Sequence, residues 1–360
     1  MDAALAQLVA QVDAARAAKT LLDIRGGGTK AFYGGLPQGE PLDTRALAGI
    51  SSYEPSELVV TVRGGTALAE LEEVLAAKGQ CLPFEPPRFA PVGTVGGMVA
   101  AGLAGPARAV VGGVRDYVLG ATMLNGKGEV LSFGGQVMKN VAGYDLSRVL
   151  AGSLGTLGVI CEVSLKVVPR AAATLTLRLE ADQARAIQRL NAWGGQPLPL
   201  NASAWWDGML VLRLSGAAAA VGAASASIGG EVVEAGLAAA FWDGLRDHRD
   251  EFFVGATKAV QAGAGLWRLS VPSTTAPLEL SGEQLLEWGG AQRWICTSAP
   301  ASVLREAARA VGGHAVLFRA LDKSAGAFAP SLPALVRLHR GLQRAFDPAG
   351  IFNPDRLLAV

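Results

Sequence analysis

Residues 134–169 read GGQVMKNVAGYDLSRVLAGSLGTLGVICEVSLKVVP. A glycine pair opens the stretch, a polar, hydroxyl-bearing segment follows, and Gly152, Gly155 and Gly158 lead into the apolar run Val159 to Val168. The three glycines precede a β-rich segment, not a helix. Glycine at such a point permits positive φ or a close approach that a Cβ would block. The stretch therefore predicts a ligand-facing turn that feeds a buried strand, with a flat, phosphorylated ligand. Two further glycine loops, at 26–28 and 93–97, must converge on the same place for this to hold.

Working outward, residues 1–18 place Leu5, Leu8, Val9 and Val12 at helical spacing. Leu21 to Ile24 reads as a strand that runs into Arg25-Gly26-Gly27-Gly28-Thr29-Lys30, and Leu42 and Ile50 fall in a turn-rich connection. Leu58 to Val62 is a β-branched strand. Thr66 is the expected N-cap of a helix through Lys78, closed by Gly79. Four prolines stiffen 81–91, and Pro91 to Met98 forms the second glycine loop, with Gly102 beyond it. Asn125-Gly126 between Val118–Leu124 and Glu129–Phe133 is a hairpin signal. Arg115-Asp116 just before it is either a buried ion pair or a functional pair.

After Pro169 strands and helices alternate without glycine loops, which predicts a separate α+β domain with an antiparallel sheet and helices on one face. Leu332 to Phe346 is a final amphipathic helix, and Ile351-Phe352-Asn353-Pro354-Asp355-Arg356-Leu357 folds back onto something. The expected fold class is α+β. The expected boundaries are 1–169 for a two-part cofactor-binding domain, 170–325 for the α+β cap, and 326–360 for a helix and tail that return to the first domain.

The net charge is +1 and no Lys/Arg block occurs, so the sequence carries no footprint for nucleic acid. No uncharged apolar window of bilayer length is present, and the N-terminus has no basic n-region, so direct membrane insertion and a signal peptide are not expected. Cys81, Cys161 and Cys296 make no CxxC and no iron–sulfur spacing. His248, His314 and His339 make no HxH, HxxxH or HExxH, so no metal site is expected. The default location is cytoplasmic.

Gly26-Gly27-Gly28-Thr29-Lys30 lacks the GxxxxGK[ST] order of a P-loop, and the 152–158 glycines lack the GxGxxG spacing and the following helix of a dinucleotide fold. Convergent loops can still hold a pyrophosphate through backbone N–H groups.

The order IRGGGTK, PVGTVGGMVAAGLAGP, GGVRDYVLGATMLNGKGEVLSFGG and KNVAGYDLSRVLAGSLGTLGVICEVSLKVVP, ending in FNPDRL, resembles the flavin-linked oxidases of the vanillyl-alcohol oxidase and p-cresol methylhydroxylase (PCMH-type) family. Within that family the chain is similar to the FAD-binding subunits of bacterial glycolate oxidases. The resemblance implies a PCMH-type FAD-binding domain. Arg25 to Lys30 would form the first pyrophosphate loop. Pro91, Gly93, Thr94, Val95, Gly96, Gly97 and Met98 would form the second, with Gly102 close by. Arg115 and Asp116 would position that loop. Gly143, Tyr144, Asp145 and Leu146, with Gly155, Gly158, Val159 and Ile160, would line the adenine and isoalloxazine sides, and Asn353 would reach in from the tail.

Some members hold the flavin through a His or a Cys near these loops. No His precedes position 248 and Cys81 lies ten residues before Pro91, so non-covalent FAD is expected. The second half carries no HGD-type metal segment and no evident base, and catalytic residues stay unassigned. Arg268, Arg293 and Arg319 are candidates for a carboxylate clamp. The implied role is an FAD-binding subunit of a glycolate (2-hydroxyacid) oxidase complex. Its partners would be a catalytic flavoprotein subunit and an iron–sulfur subunit, and peripheral attachment at the inner membrane would come only through them. The alternatives are a self-sufficient FAD-dependent 2-hydroxyacid dehydrogenase and a scaffold that has lost FAD.

Overall fold

A computed structural model describes residues 2–135 and 144–357. The chain forms two compact units, one of Met1–Leu103, Gly113–Pro169 and Pro330–Val360, the other of Ala104–Gly112 and Arg170–Ala329. Residues 104–112, expected in the first domain, pack with the second unit, and the tail returns from 330 instead of 326.

The first unit centres on a five-stranded antiparallel sheet in the order Ile50–Glu54, Val59–Arg63, Val159–Lys166, Val118–Leu124, Val130–Gly134. Val159–Lys166 is central and mostly buried, which is why apolar residues dominate it, with only Glu162 and Lys166 charged and half-buried. A two-stranded parallel ladder pairs Leu22–Arg25 with Glu40–Asp43. The Ala3–Ala18 helix packs Leu8, Val12 and Ala15 onto Leu22, Leu42, Leu124 and Val159, and Ile351 and Phe352 of the tail close this core.

Some local expectations fail. Leu42 and Ile50 lie in strands, not turns. Thr66 does not cap the Leu68–Ala76 helix; Ala67 holds that position, and the Thr66 hydroxyl exchanges hydrogen bonds with the Gly49 backbone. The Asn125-Gly126 hairpin forms with a longer loop, in which Asn125 Oδ1 accepts from the N–H groups of Lys127 and Glu129.

The second unit is built on an eight-stranded antiparallel sheet, in the order 231–233, 173–180, 209–216, 200–206, 283–287, 292–297, 265–270, 314–319. Helices cover both faces, not one. Leu177 packs with Ala186, Leu190 and Val221, whereas its neighbour Thr176 accepts from Trp242 Nε1 on the opposite face. The sequence reading does not include the Glu283–Glu287 strand or the Glu251–Gln261 helix. No helix among the described residues is long and apolar enough to cross a membrane.

Candidate functional site

The Leu22–Arg25 strand ends in Arg25, whose guanidinium donates to the buried Asp23 carboxylate (Nε 3.0 Å, Nη2 2.5 Å) and leads into Gly26-Gly27-Gly28-Thr29. This loop touches the second glycine loop directly. A Cβ on Gly27 would stand 1.6 Å from the Val92 carbonyl oxygen, and one on Gly26 would stand 2.2 Å from Thr94 Oγ1. The first two glycines therefore allow two loops to meet.

Among the described residues, the N–H groups of Gly26, Gly27, Gly28 and Thr29 have no acceptor. Four consecutive unsatisfied donors are costly unless water or a ligand takes them. The amides of the second loop are engaged instead. Val95 N–H donates to Thr66 O at 2.9 Å, Gly96 N–H to Gly64 O at 2.7 Å, and Gly97 N–H to Thr94 Oγ1 at 3.2 Å, the last capping the Val95–Ala101 helix. The first loop supplies donors; the second supplies shape.

The third wall comes from the 154–160 turn and the tail. Asn353 Oδ1 accepts from Ile24 N–H at 2.7 Å, and its Nδ2 donates to Leu154 O at 2.6 Å. Gly155, at φ +76°, has no room for a Cβ, which would sit 2.5 Å from that Nδ2. Buried Arg356 donates to the carbonyls of Ala31, Tyr33 and Gly35 and so holds the continuation of the first loop. Burial lowers its pKa from the usual arginine value.

These walls enclose a cleft of about 800 Å³ including its open mouth. Its lining brings together Arg25, Gly26, Gly27, Gly28, Thr29, Lys30, Thr94, Gly96, Gly97, Gly155, Gly158, Ile160 and Asn353 from the expected set. Asp23, Ile24, Thr44, Ala100, Ala101, Leu154 and Arg356 join them, unforeseen from the sequence. Of these, only Arg356 carried a signal, in the FNPDRL tail. Three cations (Arg25, Lys30, Arg356) face one carboxylate, Asp23, and that balance with the open amides fits the pyrophosphate of FAD.

Other expected residues lie elsewhere. Pro91 is exposed, Gly93 is buried, and Val95, Met98 and Val159 are core. Gly102 ends the Val95–Ala101 helix at φ +64°. Arg115 and Asp116 are both exposed, so they are no buried pair, and the Asp116 carboxylate accepts from Gly113 N–H. Tyr144 is 96% exposed, and Asp145 caps the short Leu146–Val149 helix. Gly143 lies outside the described residues.

In the second unit Arg293 is fully buried and donates to the carbonyls of Gly290, Ala276 and Thr275, which removes it as a substrate clamp. Burial pushes its pKa down to about 10. His248, just past the end of the Ala235–Arg246 helix, stacks on Phe253 with centroids 3.6 Å apart and meets Trp294 edge-on. Burial, with Arg319 and Arg268 nearby, drives its pKa well below 6.5. The imidazole is neutral at pH 7. Among the described residues no group of three His, Cys, Asp or Glu side chains could hold a metal ion.

A protein-family model described as FAD binding domain matches residues 3–134. The chain is 46% identical to the glycolate oxidase subunit GlcE of Escherichia coli (strain K12) over 352 residues, which cover 98% of this chain and 97% of that protein. It is 32% identical over 155 residues to the glycolate oxidase subunit GlcD of Bacillus subtilis (strain 168), covering 42% of this chain and 33% of that one. A D-lactate dehydrogenase of Anaerostipes hadrus is 36% identical over 129 residues, 36% of this chain and 26% of the other. Among solved structures, alkyldihydroxyacetonephosphate synthase superposes with a TM-score of 0.63 at 16% identity, covering 97% of this chain and 75% of that one, a likeness of fold alone.

Proposed function

We propose that this chain, which belongs to the family of the glycolate oxidase subunit GlcE, is the FAD-binding subunit of a complex that oxidises glycolate to glyoxylate. The observation that carries the reading is the run of four open N–H groups at 26–29 in a cleft where cations outnumber carboxylates. Gly26 to Thr29 bind the pyrophosphate, Lys30 and Arg25 offset its charge, and the second loop and Ile160 shape the groove. Asn353 and Arg356 hold the loops in register. When bound, FAD supplies an acceptor for the two electrons of the oxidation.

No histidine or cysteine lines the cleft among the described residues, so FAD is held non-covalently. The same lining offers Asp23 as its one carboxylate, and Arg25 already engages it. Among the described residues that line the cleft, no unengaged carboxylate or histidine is present to act as base for the substrate's hydroxyl. We assign that chemistry to a catalytic flavoprotein partner, and onward electron transfer to an iron–sulfur partner. The location is cytoplasmic, with any contact at the inner membrane made through those partners.

The test is the visible spectrum of the purified chain, before and after glycolate without oxygen. A flavin band that persists until both partners are added supports the subunit role. Bleaching by glycolate alone makes the chain a self-sufficient dehydrogenase, and a colourless protein that takes up no FAD overturns the assignment.

A further inference from the structure

The second unit holds a cavity of about 390 Å³ between the Gln183–Gly194 helix, the first residues of the Leu200–Trp206 strand and the Trp288–Gly290 turn. The Arg108–Val111 segment supplies a further wall. Every lining residue belongs to this unit. A bulge between Leu200 and Ala202 takes Asn201 out of the strand register, and Asn201 Oδ1 accepts from Arg213 Nε at 2.6 Å. Arginine only donates, so this bond fixes which end of the amide is which and leaves the Nδ2 hydrogens over. Ser203 lies opposite Leu212, which packs with Leu190, so its side chain is on the helix side of the sheet. It is 6% exposed, and its hydroxyl accepts from Gly289 N–H at 3.0 Å. Asn191 and Ser273, by contrast, satisfy each other: Asn191 Nδ2 donates to Ser273 O and its Oδ1 accepts from Ser273 Oγ. Among the described residues neither Asn201 Nδ2 nor the Ser203 hydroxyl donates to an acceptor.

We propose that this cavity is a binding site for a small uncharged ring compound, held by a carbonyl oxygen. Its volume lies in the range of small-molecule sites. Pro106, Val110, Leu190, Leu200 and Trp288 give it an apolar lining, and among the described residues that line it none is Asp, Glu, Lys, Arg or His. A charged ligand would leave water for a place with no countercharge, whereas an apolar body gains by burial there. The two open donors set the remaining requirement, an acceptor. A carbonyl satisfies them and a plain hydrocarbon leaves them unpaired. The Trp288 wall is held by its own unit. Its Nε1 donates to Gly105 O at 3.1 Å, and the Arg108 guanidinium lies 5.1 Å over its ring. Its backbone sits at φ +54°, a conformation that a non-glycine residue keeps only where its surroundings enforce it. The cavity shares no lining residue with the cleft at 26–29, so the site stands whether or not FAD binds there.

The test titrates the full chain, in excess FAD, with α-tetralone by calorimetry, and uses tetralin and naphthoate as comparison probes. Saturable binding of α-tetralone is expected, with tetralin about tenfold weaker for want of the acceptor and naphthoate not bound. Ala109→Trp fills the cavity from an exposed position and should abolish binding while circular dichroism and Tm hold. Ser203→Ala should weaken α-tetralone about tenfold and leave tetralin unchanged, a split that a loosened cavity wall would not produce. Absence of saturable binding overturns the proposal, as does binding that Ala109→Trp leaves intact. Competition from ADP puts the ligand in the cofactor cleft and overturns it too. Naphthoate bound as tightly as α-tetralone refutes the uncharged class, and equal affinity for tetralin refutes the role of the donors.

Discussion

Asn353 Nδ2 donates to the Leu154 carbonyl across 2.6 Å, joining residues 199 apart in sequence. Its Oδ1 meanwhile takes the Ile24 N–H, so one side chain ties the first strand, the 154–160 turn and the tail together. Asn353→Ala leaves a backbone donor and acceptor buried without partners, at a cost of about 1–3 kcal/mol each. A lower Tm and at least tenfold weaker FAD binding are expected. Asn353→Asp keeps the acceptor but sets a carboxylate against Leu154 O, and should do little better. Calorimetry and flavin fluorescence titration check both.

The two glycine loops separate packing from ligand contact. Gly27→Ala would drive a Cβ to 1.6 Å from Val92 O, so the loops must part and FAD binding should be lost. Gly97→Ala meets only Thr94 Oγ1, at 3.2 Å. It should keep its Tm within about 2 °C, the shift of roughly 1 kcal/mol in a chain this size, while weakening FAD. Equal loss of fold in both variants would sink this distinction.

If the open amides at 26–29 recognise the pyrophosphate, ADP should displace FAD and riboflavin should not. Removal of a ligand's charge-assisted hydrogen bonds costs about 1.5–3 kcal/mol apiece. Riboflavin should therefore bind at least a hundredfold more weakly than FAD. Competition measured by the return of flavin fluorescence decides it; comparable affinities would place recognition at the isoalloxazine end.

His248 makes the second unit sensitive to acid. Its folded pKa lies well below 6.5, near which the unfolded histidine takes a proton. Stability is therefore present above about pH 6.5 and is lost as pH falls toward the folded value, by up to ~1.4 kcal/mol per pH unit. Asp250 acts in the opposite sense: burial raises its pKa to about 6, so the folded state takes its proton first and gains stability as pH falls. The difference between wild type and His248→Phe cancels the Asp250 contribution. Urea midpoints from pH 7 to 5 should show the wild type losing ground to the variant, and parallel profiles would refute the assignment.

Arg293 separates structure from chemistry. Arg293→Met strands three carbonyls and should destabilise the second unit by about 3–5 kcal/mol, with FAD affinity unchanged at temperatures where it stays folded. Loss of FAD binding in the folded variant would return Arg293 to the functional site.

Much of this could be read along the chain. Val59–Arg63, Val159–Lys166 and the alternating strands after residue 170 follow from local apolar pattern, because side-chain periodicity reports which faces are buried. The glycine loops and the flavin family were legible for a related reason: close backbone approach leaves only glycine. What the glycines approach was decided in three dimensions. Gly26, Gly27 and Gly155 make room for Thr94, Val92 and Asn353 of their own chain, and the open donors belong to the first loop alone. Asp23, Thr44 and Arg356 reach the cleft through the parallel pairing of 22–25 with 40–43 and the return of the tail. Those contacts span up to hundreds of residues, and no local window contains them. Burial likewise depends on which elements pack together, and it turned Arg293 into a structural strut and His248 into part of an aromatic core.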